Sequence, residues 1–231
     1  IAAQYAEPLR ERLARVAGVR QAVIAGSFRR ARETVGDIDI LVSAGATAPV
    51  MERFVRYDEV AEVLAQGETR ATVKLRCGLQ VDLRVVQPDS HGAALLYFTG
   101  SKAHNIALRR IAQSRGLKLS EYGLFRGNRR SAGATEESVY RALGLPWIAP
   151  ELRENRGEIE AARAGRLPPL IERTDLRGDL HVHTRASDGH DTLRAMAGAA
   201  RAAGLEDIAI TEHSRRLAVA HGLDPERLRR Q

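Results

Sequence analysis

Asp37 and Asp39 stand two residues apart in a stretch, Asp37 to Ser43, that alternates polar with apolar side chains and runs into a glycine-containing turn. That period predicts a strand, and side chains two apart on a strand share a face. Two carboxylates held so close repel each other unless a cation lies between them, and a divalent metal with oxygen ligands resolves the conflict. A sheet carrying this strand is therefore the first constraint on the fold. A third acid, Asp82 in Val81-Asp82-Leu83-Arg84, interrupts another apolar strand and completes the set if the two strands lie side by side.

The flanking sequence supplies such a sheet. Gln4 to Ala17 puts Tyr5, Leu9, Leu13 and Val16 on one helical face. Val19 to Ala25 reads as a buried strand closed by Gly26, and Ala48 to Gln66 as helix in one or two pieces. Thr69 to Cys77 and Leu79 to Val86 form a hairpin about Gly78. The expected class is α/β, a small mixed sheet carrying helices. From His91 the pattern changes to a small α+β unit. Ser101 caps a basic helix to Arg115 that Gly116 ends; a strand-like stretch, Lys118 to Phe125, and a helix, Glu136 to Leu143, follow. Leu145 to Leu170, with several Pro and many charges, reads as a linker. Gly178 to His183, Thr192 to Ala203 and Asp207 to Thr211 make one βαβ unit with a parallel pair, and Pro225 to Arg230 a further helix. The expected domains are residues 1–90, 91–148, a linker at 149–175, and 176–231.

Composition sets the outer bounds. A chain of 231 residues fits one large or two modest domains, and 44% apolar residues with 4% aromatics imply a core of Leu, Val, Ile and Ala. The single Cys77 excludes an internal disulfide and fits a reducing cytosol. No apolar run is long enough to span a bilayer and no leader is visible, so the chain reads as soluble and cytoplasmic, without a membrane partner. It begins at Ile1 inside a helix and stops at Gln231 after another, and is expected to be a fragment. A formal charge of +7 dominated by arginine suits phosphate partners, but a solvated surface would explain it equally well.

Gly26-Ser27-Phe28-Arg29-Arg30 directly follows a strand, where backbone N–H groups and a hydroxyl meet a phosphate and arginines offset its charge. Carboxylates bridging two metal ions can activate an attacking hydroxyl and hold a leaving pyrophosphate, which is nucleotidyl transfer. Gly26-Ser-Phe-Arg-Arg followed by Gly36-Asp-Ile-Asp resembles the palm signature of the family X DNA polymerases, the DNA polymerase beta family. The resemblance implies that Asp37, Asp39 and Asp82 hold two Mg2+ or Mn2+ ions, and that Gly26, Ser27, Arg30 and Gly36 bind the incoming triphosphate. Tyr97-Phe98-Thr99-Gly100-Ser101 is similar to the family's thumb motif, implying that Tyr97, Phe98 and Gly100 lie against the nucleotide sugar. Asn105 and Arg109, one turn apart, match positions that contact the base or the template minor groove. Gln80 stands where the family places an arginine beside the third aspartate, and Lys102 replaces an acid.

A second cluster follows. His181 and His183 alternate at the end of a strand, Asp188 lies in a Ser-Asp-Gly turn, and His213 comes just after the next strand. In a parallel α/β barrel, strand carboxyl ends converge at one mouth, so these four can meet at a metal. They resemble the opening of a polymerase-and-histidinol-phosphatase (PHP) domain, the first βαβ of a (β/α)7 barrel, implying Mn2+ or Zn2+ and removal of nucleotides or phosphate from DNA 3′ ends. Glu212 is expected to support the ligands or to bridge metals rather than to join these four. His190, His221 and His104 read as surface residues. The expected function is a monomeric, nucleoid-associated bacterial DNA-directed DNA polymerase taking dNTP and gapped or primer-template DNA, with a PHP 3′-5′ exonuclease. The alternatives are a non-templated nucleotidyltransferase, which the thumb motif and basic helix oppose, and a 3′-end-processing phosphoesterase using the polymerase part as a platform. A binding module with a degenerate polymerase fold has no need of three intact carboxylates.

Overall fold

Helix α1 (Ala2–Ala14) lays Ala6, Leu9 and Leu13, spaced three and four apart, into a fully buried face against the sheet that follows. A computed structural model describes residues 2–231, and the chain divides into two units, residues 1–167 and 168–231. In the first, β1 (Val19–Ile24) leads into a single helical turn, α2 (Gly26–Arg29), and then β2 (Asp37–Ala44). Helix α3 (Ala48–Val55), β3 (Val60–Gln66), β4 (Arg70–Leu75) and β5 (Gln80–Val86) complete a five-stranded sheet ordered β1-β2-β5-β4-β3. Only β2 and β5 run parallel; the other pairs are antiparallel. Ile38, Ile40 and Val42 of β2 pack with Val81, Leu83 and Val85 of β5 beneath α1 and α3. Asp37 and Asp39 take the opposite face, where Leu41 meets Ala94.

One expectation fails here. Ala48 to Gln66 is helical only to Val55. The remainder, where Ala, Glu and Leu favour helix but Val60 and Val63 favour strand, becomes edge strand β3 because its backbone pairs with β4. Gly26 to Arg29, directly after β1 as expected, forms a single turn of helix.

Beyond the sheet, α4 (His91–Thr99) and α5 (Lys102–Ser114) are followed by a three-stranded sheet, β6 (Lys118–Ser120), β7 (Gly123–Arg126) and β8 (Arg129–Ala132), and then by α6 (Glu136–Ala142). The hydroxyl of Ser101 accepts the His104 N–H at 3.3 Å, the expected cap of α5. A Gly127-Asn128 turn, with Gly127 at φ +56°, adds a strand that the sequence reading omitted. The earlier part of the expected linker is packed into the core, although the two units do divide within the expected segment, after Leu167. Ile148, Arg153, Ile159 and Ala162 are buried with Leu108, Leu124 and Tyr140, and α7 (Glu158–Arg163) is part of that core. Its charges misled because they are spent on partners within the fold: Arg153 on Glu136, Glu154 on Arg30, Glu158 on His104. His104 is correspondingly buried, not a surface residue.

In the second unit β9 (Gly178–Val182) and β10 (Asp207–Ile210) pair in parallel, separated in sequence by α8 (Leu193–Ala202) and followed by α9 (Pro225–Arg230). No helix among the described residues is long and apolar enough to cross a membrane.

Candidate active site and second metal cluster

The parallel register of β2 and β5 sets Asp39 directly beside Asp82, and Asp37 beside Gln80. Adjacent strands lie about 4.8 Å apart, so the three acids share one patch of the exposed sheet face. Burial, then the charges of Asp37 and Asp82, push the Asp39 carboxyl up to about 6, against the pull of Arg30 and Arg84. Three carboxylates crowded on one face form an all-oxygen donor set that fits a hard divalent cation. Asp82 is oriented by neutral donors: the Thr72 hydroxyl to Oδ1 at 2.5 Å and the Gln80 amide to Oδ2 at 2.8 Å. Thr72 was missed from the sequence, because only the β4–β5 register, which opposes it to Asp82, reveals it. Gly26, at φ +62°, begins α2 so close to Asp39 that a Cβ there would collide with Oδ2.

A cleft of ≈530 Å³ is lined by Gly26, Ser27, Arg30, Asp37, Asp39, Tyr97, Phe98, Gly100, Asn105 and Arg109, bringing together most of the residues assigned to the nucleotide. Asp82 opens onto an adjoining cavity with Thr72 and Arg84. Gly36 lies elsewhere, lining a separate depression with Phe28 and Cys77. The cleft wall is braced: Tyr97 and Phe98 meet edge to face at 4.9 Å, the Arg109 guanidinium sits 5.1 Å over Tyr97, and the Asn105 amide donates to the Tyr97 carbonyl at 2.7 Å. Arg30 does not project freely. Its Nε donates to Glu154 at 2.8 Å and its Nη1 to the Thr99 carbonyl at 2.5 Å.

Beneath that wall, Arg29 donates to both oxygens of Glu136, at 2.8 and 2.9 Å, and buried Arg153 does the same at 2.6 and 3.0 Å. Burial raises the Glu136 pKa, but the bonds from the two arginines prevail and bring it down to about 2. None of these pairings was read from the sequence: Arg29 was expected to offset a phosphate's charge and Arg153 to lie in a linker, yet both are committed to Glu136.

In the second unit, His183, Asp188 and His213 each bring one ligand atom within 4.8 Å of the others. His183 Nδ1 lies 3.6 Å from Asp188 Oδ1, and His213 Nε2 lies 3.3 Å from Asp188 Oδ2. His183 Nδ1 is buried without a hydrogen-bond partner, and two nitrogens and an oxygen suit zinc or manganese. The His181 ring lies 4.9 Å from that of His183 but stands outside this set. Glu212 accepts from Thr184, Ser187 and Gln231. Those bonds overcome the upward push of burial and hold its carboxyl below the usual range.

Comparison with known proteins follows the same order of parts. The DNA polymerase beta palm pattern matches residues 2–94, the DNA polymerase beta thumb 94–154, and the PHP domain 179–224. The DNA polymerase/3′-5′ exonuclease PolX of Bacillus subtilis is 38% identical over 234 residues, covering 100% of this chain and 41% of its own length. DNA polymerase lambda of Rattus norvegicus is 29% identical over 162 residues, covering 57% of this chain and 28% of its own. Among solved structures, a ternary P/T complex of Leishmania infantum polymerase beta aligns with a TM-score of 0.57 at 26% identity, over 66% of this chain and 74% of that one. The chain thus spans about two fifths of the length of its Bacillus relative. Polymerases of this kind and PHP domains are metal-dependent. Palm, thumb and PHP patterns in one continuous order, with a relative aligned along the whole chain, establish that this chain belongs to the family X DNA polymerases and joins a polymerase beta-like palm and thumb to PHP sequence.

Proposed function

We propose that the first unit transfers a deoxynucleoside monophosphate from dNTP to a primer 3′-hydroxyl opposite a template base, filling short gaps in DNA during repair. The observation that carries this reading is the pairing of Asp39 with Asp82, with Asp37 and Asp39 lining the cleft that Tyr97, Asn105 and Arg109 also line. Asp37, Asp39 and Asp82 would hold two Mg2+ or Mn2+ ions. When bound, such ions lower the pKa of the attacking hydroxyl and offset charge on the leaving pyrophosphate. The chain's own groups do the rest. Ser27 offers a hydroxyl to the triphosphate, and Arg30 retains guanidinium N–H groups beyond the two it spends on Glu154 and Thr99. The crossed rings of Tyr97 and Phe98, pinned by Arg109 and Arg84, form a rigid surface for the sugar. Basic residues on α5, Lys102 and Arg110 among them, face a polyanion.

The second unit supplies a different chemistry. His183, Asp188 and His213, with His181 adjacent, would hold Mn2+ or Zn2+ for hydrolytic trimming of DNA 3′ ends, the activity named for the Bacillus relative. Thr184, Ser187 and Gln231 fix Glu212 beside that set. The protein is read as a monomer working in the bacterial cytoplasm, on the nucleoid during repair.

The discriminating experiment offers each dNTP singly to a one-nucleotide-gapped duplex with Mg2+ or Mn2+. Incorporation of the template-matched nucleotide alone supports the reading; incorporation that ignores the template makes the protein a non-templated transferase.

A further inference from the structure

The thumb pattern ends at residue 154 and the PHP pattern begins at 179, yet Glu158, between them, grips the helix that carries Asn105 and Arg109. His104 is fully buried on α5. Its Nδ1 lies 2.6 Å from Oε1 of Glu158 and its Nε2 2.8 Å from the Tyr140 hydroxyl. An ionised carboxylate only accepts, so Nδ1 carries the proton and donates to Glu158, and the Tyr140 hydroxyl donates to Nε2. Burial holds the imidazole below its usual pKa against the pull of Glu158, in keeping with a neutral ring. Glu158 also accepts the backbone N–H groups of Asn155 at 2.9 Å and Arg156 at 2.7 Å. The same segment holds the start of α5 a second time, because the Ser101 N–H donates to the Arg153 carbonyl at 3.0 Å.

A leucine at position 104 would continue the buried stripe of Leu108 and Ala112 without desolvating a carboxylate and an imidazole. What an apolar contact lacks is direction. Bonds from both ring nitrogens fix the rotation of the first turn of α5 about its axis, and that rotation sets where Asn105 and Arg109 stand against Tyr97. We infer that His104 is a positioning residue for nucleotide selection, and that Arg153 to Arg163, acting through Glu158, is a working part of the nucleotide site rather than a tether between domains. This rests on the reading of Tyr97, Asn105 and Arg109 as the nucleotide wall.

The test is steady-state gap filling by the full-length protein, with thermal unfolding of each variant. His104→Phe and Glu158→Ala are expected to raise KM for dNTP about tenfold, the scale of one lost charge-assisted hydrogen bond, with kcat within about twofold. His104→Asn, which keeps a donor toward Glu158, should recover most of that loss. Should His104→Phe not fold, Glu158→Gln carries the same expectation. Leu124→Ala, a cavity in the same core away from the clasp, controls for destabilisation. An unchanged KM in folded His104→Phe, or an equal rise in Leu124→Ala at matched Tm, overturns the inference. Asn105→Ala separates the causes. If it raises KM while His104→Phe does not, the clasp alone fails; if it too leaves KM unchanged, the nucleotide-wall reading fails and the clasp falls with it.

Discussion

At the scale of single residues, Asp39 shows how the palm concentrates its chemistry. It is flanked by Asp37 and Asp82, its carboxyl is pushed up to about 6, and Gly26 has no Cβ to crowd it. Gly26→Ala should therefore cost about 1–3 kcal/mol from its left-handed backbone alone, displace Asp39 as well, and show both in a lower Tm and slower incorporation. Thr72→Val removes the hydroxyl bond to Asp82 at constant size. Incorporation should slow by about tenfold, with an increased divalent-ion requirement, measured as rate against Mg2+ concentration. The pair Asp37 and Asp39 was legible because a strand's period of two is a local property. Thr72 was not, because cross-strand register is set by the whole sheet. His104 was misread although it lies four residues before Leu108 and eight before Ala112, the period of a buried stripe.

At the scale of elements, residues 145–167 were misread because charged residues were taken for solvent-facing ones. Leu145 to Leu170 looked like a linker, yet Arg153 is fully buried on Glu136. Glu136→Gln leaves two arginines without a countercharge, so a destabilisation of about 3–5 kcal/mol is expected by urea unfolding. The same carboxylate predicts a pH dependence. Its folded pKa is about 2 and its usual value 4.5, so its contribution is complete above 4.5 and is lost as pH falls toward 2. That contribution is on the order of 3 kcal/mol, and unfolding free energies between pH 3 and 6 should fall less steeply in Glu136→Gln than in the parent. Edge strand β3 was misread for another reason: Ala, Glu and Leu favour helix locally, and only pairing with β4 reverses it.

At the scale of the molecule, the three carboxylates of the first unit and the His183, Asp188, His213 cluster of the second underlie the proposal that the protein both extends and trims a DNA end. The two activities should separate by mutation. His183→Ala with His213→Ala should abolish 3′ trimming and leave gap filling intact, and Asp39→Asn should do the reverse, each followed on end-labelled DNA. The order of parts was legible because each motif is local; the packing of residues 145–167 onto the second core was not. The most direct test of the account is single-turnover filling of a one-nucleotide gap with Mg2+ or Mn2+, comparing the full-length protein with its Asp37→Ala, Asp39→Ala variant. Template-matched incorporation that falls at least about 1,000-fold in the variant is the predicted result, the scale of losing charge stabilisation at a reacting centre. Incorporation that survives in the variant would contradict the assignment of the palm carboxylates.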